Sequence, residues 1–382
     1  MDNTWARRIP WTIVLVSTTL VFVGCLAIAR SEELTGSDGR YLARQVLWSL
    51  FGAAAVLLAA IPNYRLLARW SYAALAASLA LLVVVYFCVP VNAAHRWIRL
   101  GFISLQPSEF AKLAFVLALA RYLMYRESYR QLTGLLAPLA LVLVPVLLIL
   151  KEPDLGTSLI FIPVLFVMLF AAGARLQHMA LVAVAAVALT PLLWSQMSRE
   201  QRSRITALAE PARPGETPTD DGFHLYQAEQ MFALGNVWGS FVLGDAVDDP
   251  SVYSVPEPQT DSIVSVLGER FGLWGFALLL ALFLLLVWRG LAVAASTREP
   301  FGRLVAIGIT ALLAVQMLIN TGMMVGLLPI TGVSLPLVSY GGSGLLANCL
   351  AIGLLINIAI RPGYEVAAEP FRFPASRHAA RA

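Results

Sequence analysis

Pro256-Glu257-Pro258-Gln259-Thr260-Asp261 runs directly into Ser262-Ile263-Val264-Ser265-Val266-Leu267-Gly268-Glu269-Arg270-Phe271-Gly272, and this junction decides how the chain is read. It closes the only long polar loop of an otherwise apolar sequence and brings one carboxylate, Asp261, to the mouth of a hydrophobic helix. Two turns deeper, Glu269 is expected near the same face. Ionisable groups at and inside a membrane boundary are expensive, and for that reason they are candidates for function. The simpler reading is a cap, in which Thr260 or Asp261 satisfies free N–H groups of the first helical turn. A cap gives no reason to bury Glu269 and Arg270 further in.

Outward from this junction the chain is a polytopic membrane protein. Of 382 residues, 59% are hydrophobic and 13% charged, against about 25% charged in a soluble domain; mean hydropathy is +0.75. The net charge of +4 needs no nucleic acid, because basic loops on the inner side of a membrane account for it. Cys25, Cys88 and Cys349 are odd in number, scattered and in or beside apolar runs, which argues against a disulfide framework or a zinc site. His95, His178, His224 and His378 have no ligand spacing either. The apolar run after Arg7 and Arg8 ends in Ala27-Ile28-Ala29, which resembles a cleavage site. At about 20 residues it is longer than a signal-peptide core, so it reads as an uncleaved first span.

Spans of roughly 20 apolar residues are expected near 10–29, 45–62, 71–91, 108–124, 135–150, 156–173, 178–196, 262–288, 303–325 and 343–361. The fold class is therefore all-α, with ten transmembrane helices forming one membrane domain, 1–361. With the N-terminus inside and the long loop left out of the count, the inner loops hold Arg7, Arg8, Arg65, Arg69, Arg121, Arg126, Arg130, Arg175, Arg289, Arg298, Arg303, Arg361, Arg372, Arg377 and Arg381. The short outer loops hold only Arg30, Arg40, Arg44, Arg96, Arg99 and Lys151. That bias places both termini in the cytoplasm. The tail 362–382 reads as cytoplasmic and disordered. The long loop, 197–261, lies outside between helices 7 and 8. It opens with Arg199, Arg202 and Arg204, turns acidic, and contains Tyr226–Leu234 as a candidate interfacial helix. A loop of this length is usually functional.

Four outer segments are polar, aromatic or glycine-rich where a plain turn would serve. The first contains Arg96-Trp97-Ile98 and Gln106-Pro107-Ser108-Glu109, with Lys112 three residues beyond Glu109 and able to pair with it. A structural ion pair at the helix entrance and a substrate contact both fit that pair, and Trp97 also fits a place in an interfacial aromatic belt. The second is Lys151-Glu152-Pro153-Asp154-Leu155-Gly156-Thr157, which also reads as a turn and cap. The third is the long loop. The fourth, Gly326 to Gly344, breaks the helical pattern at membrane depth, which is tolerated only where backbone is packed in protein or lines a cavity. Its glycines and the start of the last span offer N–H groups to an anion such as a phosphate.

In this order, on one side of a ten-span chain, Arg96-Trp97-Ile98, Gln106-Pro107-Ser108-Glu109 with Lys112, Pro153-Asp154-Leu155-Gly156-Thr157, Pro256-Glu257 with Thr260-Asp261, and the run from Asn320 through Pro329 to Ser339-Tyr340-Gly341-Gly342-Ser343 resemble the SEDS family of bacterial cell-wall proteins, the group of RodA, FtsW and SpoVE. The resemblance covers nearly the whole chain. Pro153–Thr157 leans towards the RodA, elongation branch. The chain departs from the family pattern at Gly235-Asn236-Val237-Trp238-Gly239-Ser240, and at Gln259, Ser262 and Arg270, where the family usually has a histidine, a phenylalanine and an acidic residue.

The resemblance implies a peptidoglycan glycosyltransferase. Such an enzyme polymerises the lipid-linked disaccharide-peptide lipid II at the outer face of the inner membrane. Its partners are a class B penicillin-binding protein, the transpeptidase, and the other proteins of the elongation or division complex, among membrane lipids. Asp261 matches the family's essential acidic position, and Arg96, Trp97, Glu109, Lys112 and Asp154 match positions around its central cavity. Glu269, Ser339 and Tyr340 complete the candidate substrate-binding set. Joining an α-linked donor to a sugar hydroxyl with inversion needs a general base, assigned to Asp261. It also needs countercharge for the leaving pyrophosphate, from Arg96, Lys112, Arg202, Arg204 or a divalent cation. No other cofactor is expected. A lipid II flippase or a noncatalytic scaffold are the rival readings. No internal repeat relates the two halves as transporters often show.

Overall fold

The computed structural model describes residues 8–90, 95–101, 103–126, 131–209, 221–245, 247, 253 and 255–362. Of the expected tail only Pro362 lies among them, and residues 210–220 of the long loop lie outside them.

Eight helices are long and apolar enough to cross a bilayer. They are α1 (Trp11–Thr35), α2 (Arg40–Ala60), α3 (Arg65–Val85), α5 (Leu136–Lys151, extended by a 3-10 turn at Thr133–Leu135), α6 (Leu155–Ala172), α12 (Ile263–Ser296), α13 (Pro300–Met324) and α14 (Gly342–Ile360). The expected fourth span is α4 (Pro107–Tyr125), equally long but carrying Glu109, Lys112 and Arg121. It can carry them because it is buried on nearly every face, as a helix at the centre of a bundle must be. The expected seventh span is broken at Leu189 into α7 (Leu176–Ala188) and α8 (Thr190–Gln196). Only Met179 of α7 is buried, and Leu181, Val184 and Val187 are exposed, as a lipid-facing surface would be.

α14 packs along α2, where Gly52 and Gly353 leave room for Cys349 and for the backbone of Val56. α12 runs between α1 and α13, and α13 packs in turn on α4 and α6. One element was not expected: an antiparallel hairpin of β1 (Ile98–Leu100) and β2 (Ile103–Leu105), turning at Gly101 with φ 69°.

The long loop carries α9 (Arg199–Ala209), α10 (Asp221–Leu234) and the short α11 (Ser240–Leu243). The helix expected at Tyr226–Leu234 is the second half of α10, and it packs on α12. Ala228 and Met231 of α10 are buried, and Met231 clusters with Val255 and Val266 on the start of α12. The same stretch of α12 receives the loop's backbone. Gly272 kinks the helix at φ 62° and ψ −160°, and a side chain there would strike the Val237 carbonyl and the Gly239 amide. Leu273 N–H donates to Asn236 O (3.0 Å) across the same contact. The loop is thus docked on the helix that Asp261 opens.

After α13 the chain abandons helix until Gly342. Ile330, Val333, Leu335, Leu337 and Val338 of this segment are buried, so the non-helical backbone is packed in protein as the membrane requires.

Candidate active site

A polar cavity of about 480 Å3 opens where the first turns of α4, α6, α9, α10 and α14 meet the loop that leads into α12. Its lining includes Arg96, Trp97, Glu109, Lys112, Asp154, Asp261 and Tyr340. The helical residues of the lining lie within the first two turns of their helices, and helix N-termini favour negative charge.

Asp261 is fixed by its backbone. Three successive carbonyls of its loop are held by the broken segment and α13: Tyr340 N–H donates to Gln259 O (2.8 Å), Ser339 Oγ to Thr260 O (2.6 Å) and Asn320 Nδ2 to Asp261 O (2.9 Å). Asn320 Nδ2 also donates to Val333 O (2.7 Å), which ties the same loop to the far wall. Gly332 sits opposite at φ 71°, where an added Cβ would come within 3.2 Å of Asp261 Oδ2. The cap reading fails, since the N-cap of α12 is Ser262 and no side chain caps it. The Asp261 carboxylate accepts no hydrogen bond among the described residues. Burial first, and then the charges of Glu257 and Asp154, push its pKa up to about 6 against the pull of Arg204 and Arg96.

Asp154 serves two ends. Its carboxylate caps α6, accepting from Thr157 N (3.1 Å) and Thr157 Oγ1 (2.9 Å), and it lines the cavity. Arg96 spans the turn before it, donating from Nε to Glu152 O (3.2 Å) and from Nη2 to Pro153 O. The Glu152 carboxyl behind that turn is buried without a hydrogen-bond partner. Burial raises its pKa to about 8, so it is largely neutral at pH 7. On α4, Lys112 Nζ donates to Glu109 Oε1 (2.8 Å) and to Gln316 Oε1 (2.9 Å) of α13. This satisfies the lysine and leaves Glu109 Oε2 without a partner.

The FtsW/RodA/SpoVE family model, described as cell cycle protein, matches residues 7–362. The chain belongs to this family. It is 35% identical over 368 residues to a probable peptidoglycan glycosyltransferase FtsW of Geobacter sulfurreducens, covering 93% of this chain and 96% of that protein. Among solved structures it resembles a chain of a peptidoglycan synthase complex that coordinates polymerization and crosslinking, with a TM-score of 0.79 and 29% identity over 92% of this chain and 97% of that one. It also resembles the rod shape determining protein RodA of Thermus thermophilus, with a TM-score of 0.67 and 28% identity over 92% and 96% of the two chains. Like its family, it is a multi-pass protein of the bacterial inner membrane. An FtsW-type relative and a RodA structure align over 93% and 92% of the chain, so Pro153–Thr157 by itself does not assign the branch.

Of the candidate set, Glu269 and Ser339 do not line the cavity. Asp261 precedes the N-cap of α12, so helical spacing does not carry it onto the face of Glu269, which turns instead to α1. There Arg30 grips it from Nε (3.1 Å) and Nη2 (2.8 Å) and also meets Ser240 and Asp245 of the long loop. Ser339 lies beneath the site, donating to Thr260 O and accepting from Leu335 N (2.9 Å). Among the four cation candidates Arg96, Lys112 and Arg204 line the cavity. Arg202 does not, and instead caps the end of α8 through Trp194 O (3.1 Å) and Ser195 O (2.9 Å).

The lining adds Gln106, Thr157, His224, Glu257 and Thr260 as residues of the site. Glu257 and Thr260 were legible as neighbours of Asp261. His224 carried no local signal, because only the docking of α10 brings it there. Among the described residues no three His, Cys, Asp or Glu side chains converge to hold a metal ion.

Proposed function

We propose that this cavity is the active site of a peptidoglycan glycosyltransferase that polymerises lipid II into glycan strands at the outer face of the inner membrane. The observation that carries the reading is the Asp261 carboxylate, carried on a loop whose carbonyls at 259, 260 and 261 each accept a hydrogen bond, itself accepting none among the described residues, and facing a cavity shared with Arg96, Lys112 and Arg204. The acceptor sugar's hydroxyl gives its proton to Asp261 as its oxygen attacks the anomeric carbon of the donor. The bond from that carbon to the pyrophosphate oxygen breaks on the opposite side, and the pyrophosphate leaves with the electron pair. A carboxylate with a pKa near 6 is ionised at neutral pH yet more basic than an exposed aspartate. General-base assistance of this kind contributes roughly 10²–10⁴ in rate.

The leaving group's charge falls among Arg96, Arg204 and the converging helix N-termini. The family's name, the printed activity of the Geobacter relative, and the likeness to a complex that joins polymerization to crosslinking support this reading. The polymerase works beside a class B penicillin-binding protein that crosslinks the new strand. Asp261→Asn keeps size and shape and removes the base. It should insert and bind its partner normally while forming no polymer from lipid II. Normal polymerisation by that variant would discard the assignment.

A further inference from the structure

The face of α12 away from the cavity carries a second, apolar groove of about 490 Å3. Its floor is Leu26 of α1 with Phe271, Trp274 and Leu278 of α12, and its upper rim is Trp238 and Phe241 of the long loop. None of these residues lines the polar cavity. Trp238, Phe241, Val242 and Leu243 are 57–65% exposed, and Leu273, Trp274 and Leu278 continue the same exposed apolar surface down α12.

The depth of this patch follows from helix geometry. Exposed Trp274 and Trp288 mark the two ends of the lipid-facing part of α12, where interfacial aromatics belong. From Leu273 to Arg289 the helix rises about 24 Å, so a hydrocarbon core of roughly 30 Å reaches within about a turn of Arg270. The rim residues sit at that level, because the Arg270 guanidinium stacks 5.3 Å from the centre of the Phe241 ring. Arg270 makes no ion pair among the described residues, although the neighbouring Glu269 is fully engaged by Arg30.

A cation with no ion pair among the described residues, stacked on the rim of an apolar groove at the height of the headgroups, matches one kind of molecule: an anionic phospholipid, its phosphate on Arg270 and an acyl chain beneath Trp238 and Phe241. We infer that residues 237–243 form a foot of the long loop that rests in the cavity-side leaflet, and that Arg270 with the groove below holds one anionic phospholipid there. The foot is also fastened from inside. Ser240 and Asp245, at and just beyond α11, both meet Arg30 of α1, so the lipid and the ion cluster hold the loop from opposite sides. The lipid site stands independently of the chemistry at Asp261.

The full-length protein, alone and with its transpeptidase, is reconstituted in nanodiscs of phosphatidylglycerol or phosphatidylcholine, and the lipids retained after release are counted by native mass spectrometry. Wild type should keep one phosphatidylglycerol in preference to phosphatidylcholine. Arg270→Gln should lower that occupancy about fivefold, the worth of one arginine at an anionic surface, without a change in Tm. The Trp238→Ser/Phe241→Ser variant should lose retention of both lipids. The Trp238 signal, taken as wild type minus Trp238→Phe, should be quenched by phosphatidylglycerol with brominated chains. Equal lipid retention in wild type and both variants, or an unquenched Trp238, would overturn the proposal. So would crosslinking of Trp238→Cys to the transpeptidase with no lipid retained, since the groove would then be a protein interface.

Discussion

Asp261 holds its proton more tightly than an exposed aspartate, first through burial and then through Glu257 and Asp154. As a general base it must be ionised, so the rate of polymerisation should fall about tenfold per unit as pH drops below about 6; a pH–rate profile flat from 5 to 7 would contradict this. The same shift acts on stability with the opposite sense. A carboxyl whose folded pKa lies above its unfolded value favours the fold most below the unfolded value, and that contribution is lost as pH rises through about 6. Asp261→Asn should therefore melt no lower than wild type at pH 7, so that lost activity and intact fold are read in one sample. Asp261 was legible in the sequence as a lone acid ending a polar loop before a greasy helix. Glu269 was misplaced by the same local reasoning. Helical spacing gives an angle but does not say which neighbour occupies it, and Arg30 lies more than two hundred residues away.

At the scale of elements, α12 works as two helices joined at Gly272. The first, from Ile263 to Glu269, is buried and carries the dock for the long loop; the second faces lipid. Arg30 fastens the first part to α1 and to the loop. Breaking a buried pair by removing one partner leaves an uncompensated charge and costs roughly 3–5 kcal/mol, so Glu269→Ala should sharply lower thermal stability. Replacing Asp245, which is largely exposed in the same cluster, costs roughly 1 kcal/mol or less by the measure of exposed pairs. Comparable melting of the two variants would refute this ranking. The broken segment 326–341 announced itself through its glycines and prolines, whereas the β1–β2 hairpin did not. Its strands are three residues each and offer no periodicity to read.

For the whole molecule, the polar cavity is confined to one end of the bundle, formed by the first turns of helices and by the segments between them. A flippase needs a site that opens in turn to both faces, commonly near the midplane. In proteoliposomes, the chain with its transpeptidase should therefore extend glycan from lipid II supplied on the cavity side and should not move labelled lipid II between leaflets. Transport at a rate comparable to polymerisation would reverse the assignment.

By itself the sequence determined that this is a helical membrane protein, roughly where its spans lie, and which end gathers the polar groups. Those are consequences of hydropathy and length, which act residue by residue in a bilayer. Only the tertiary structure decided which of those groups share a cavity, that Glu269 belongs to Arg30, that His224 is carried over the site by α10, and that Trp238 and Phe241 close a groove on the opposite face. Each depends on the angle at which one element meets another, and that angle is set by close packing at positions far apart in the chain.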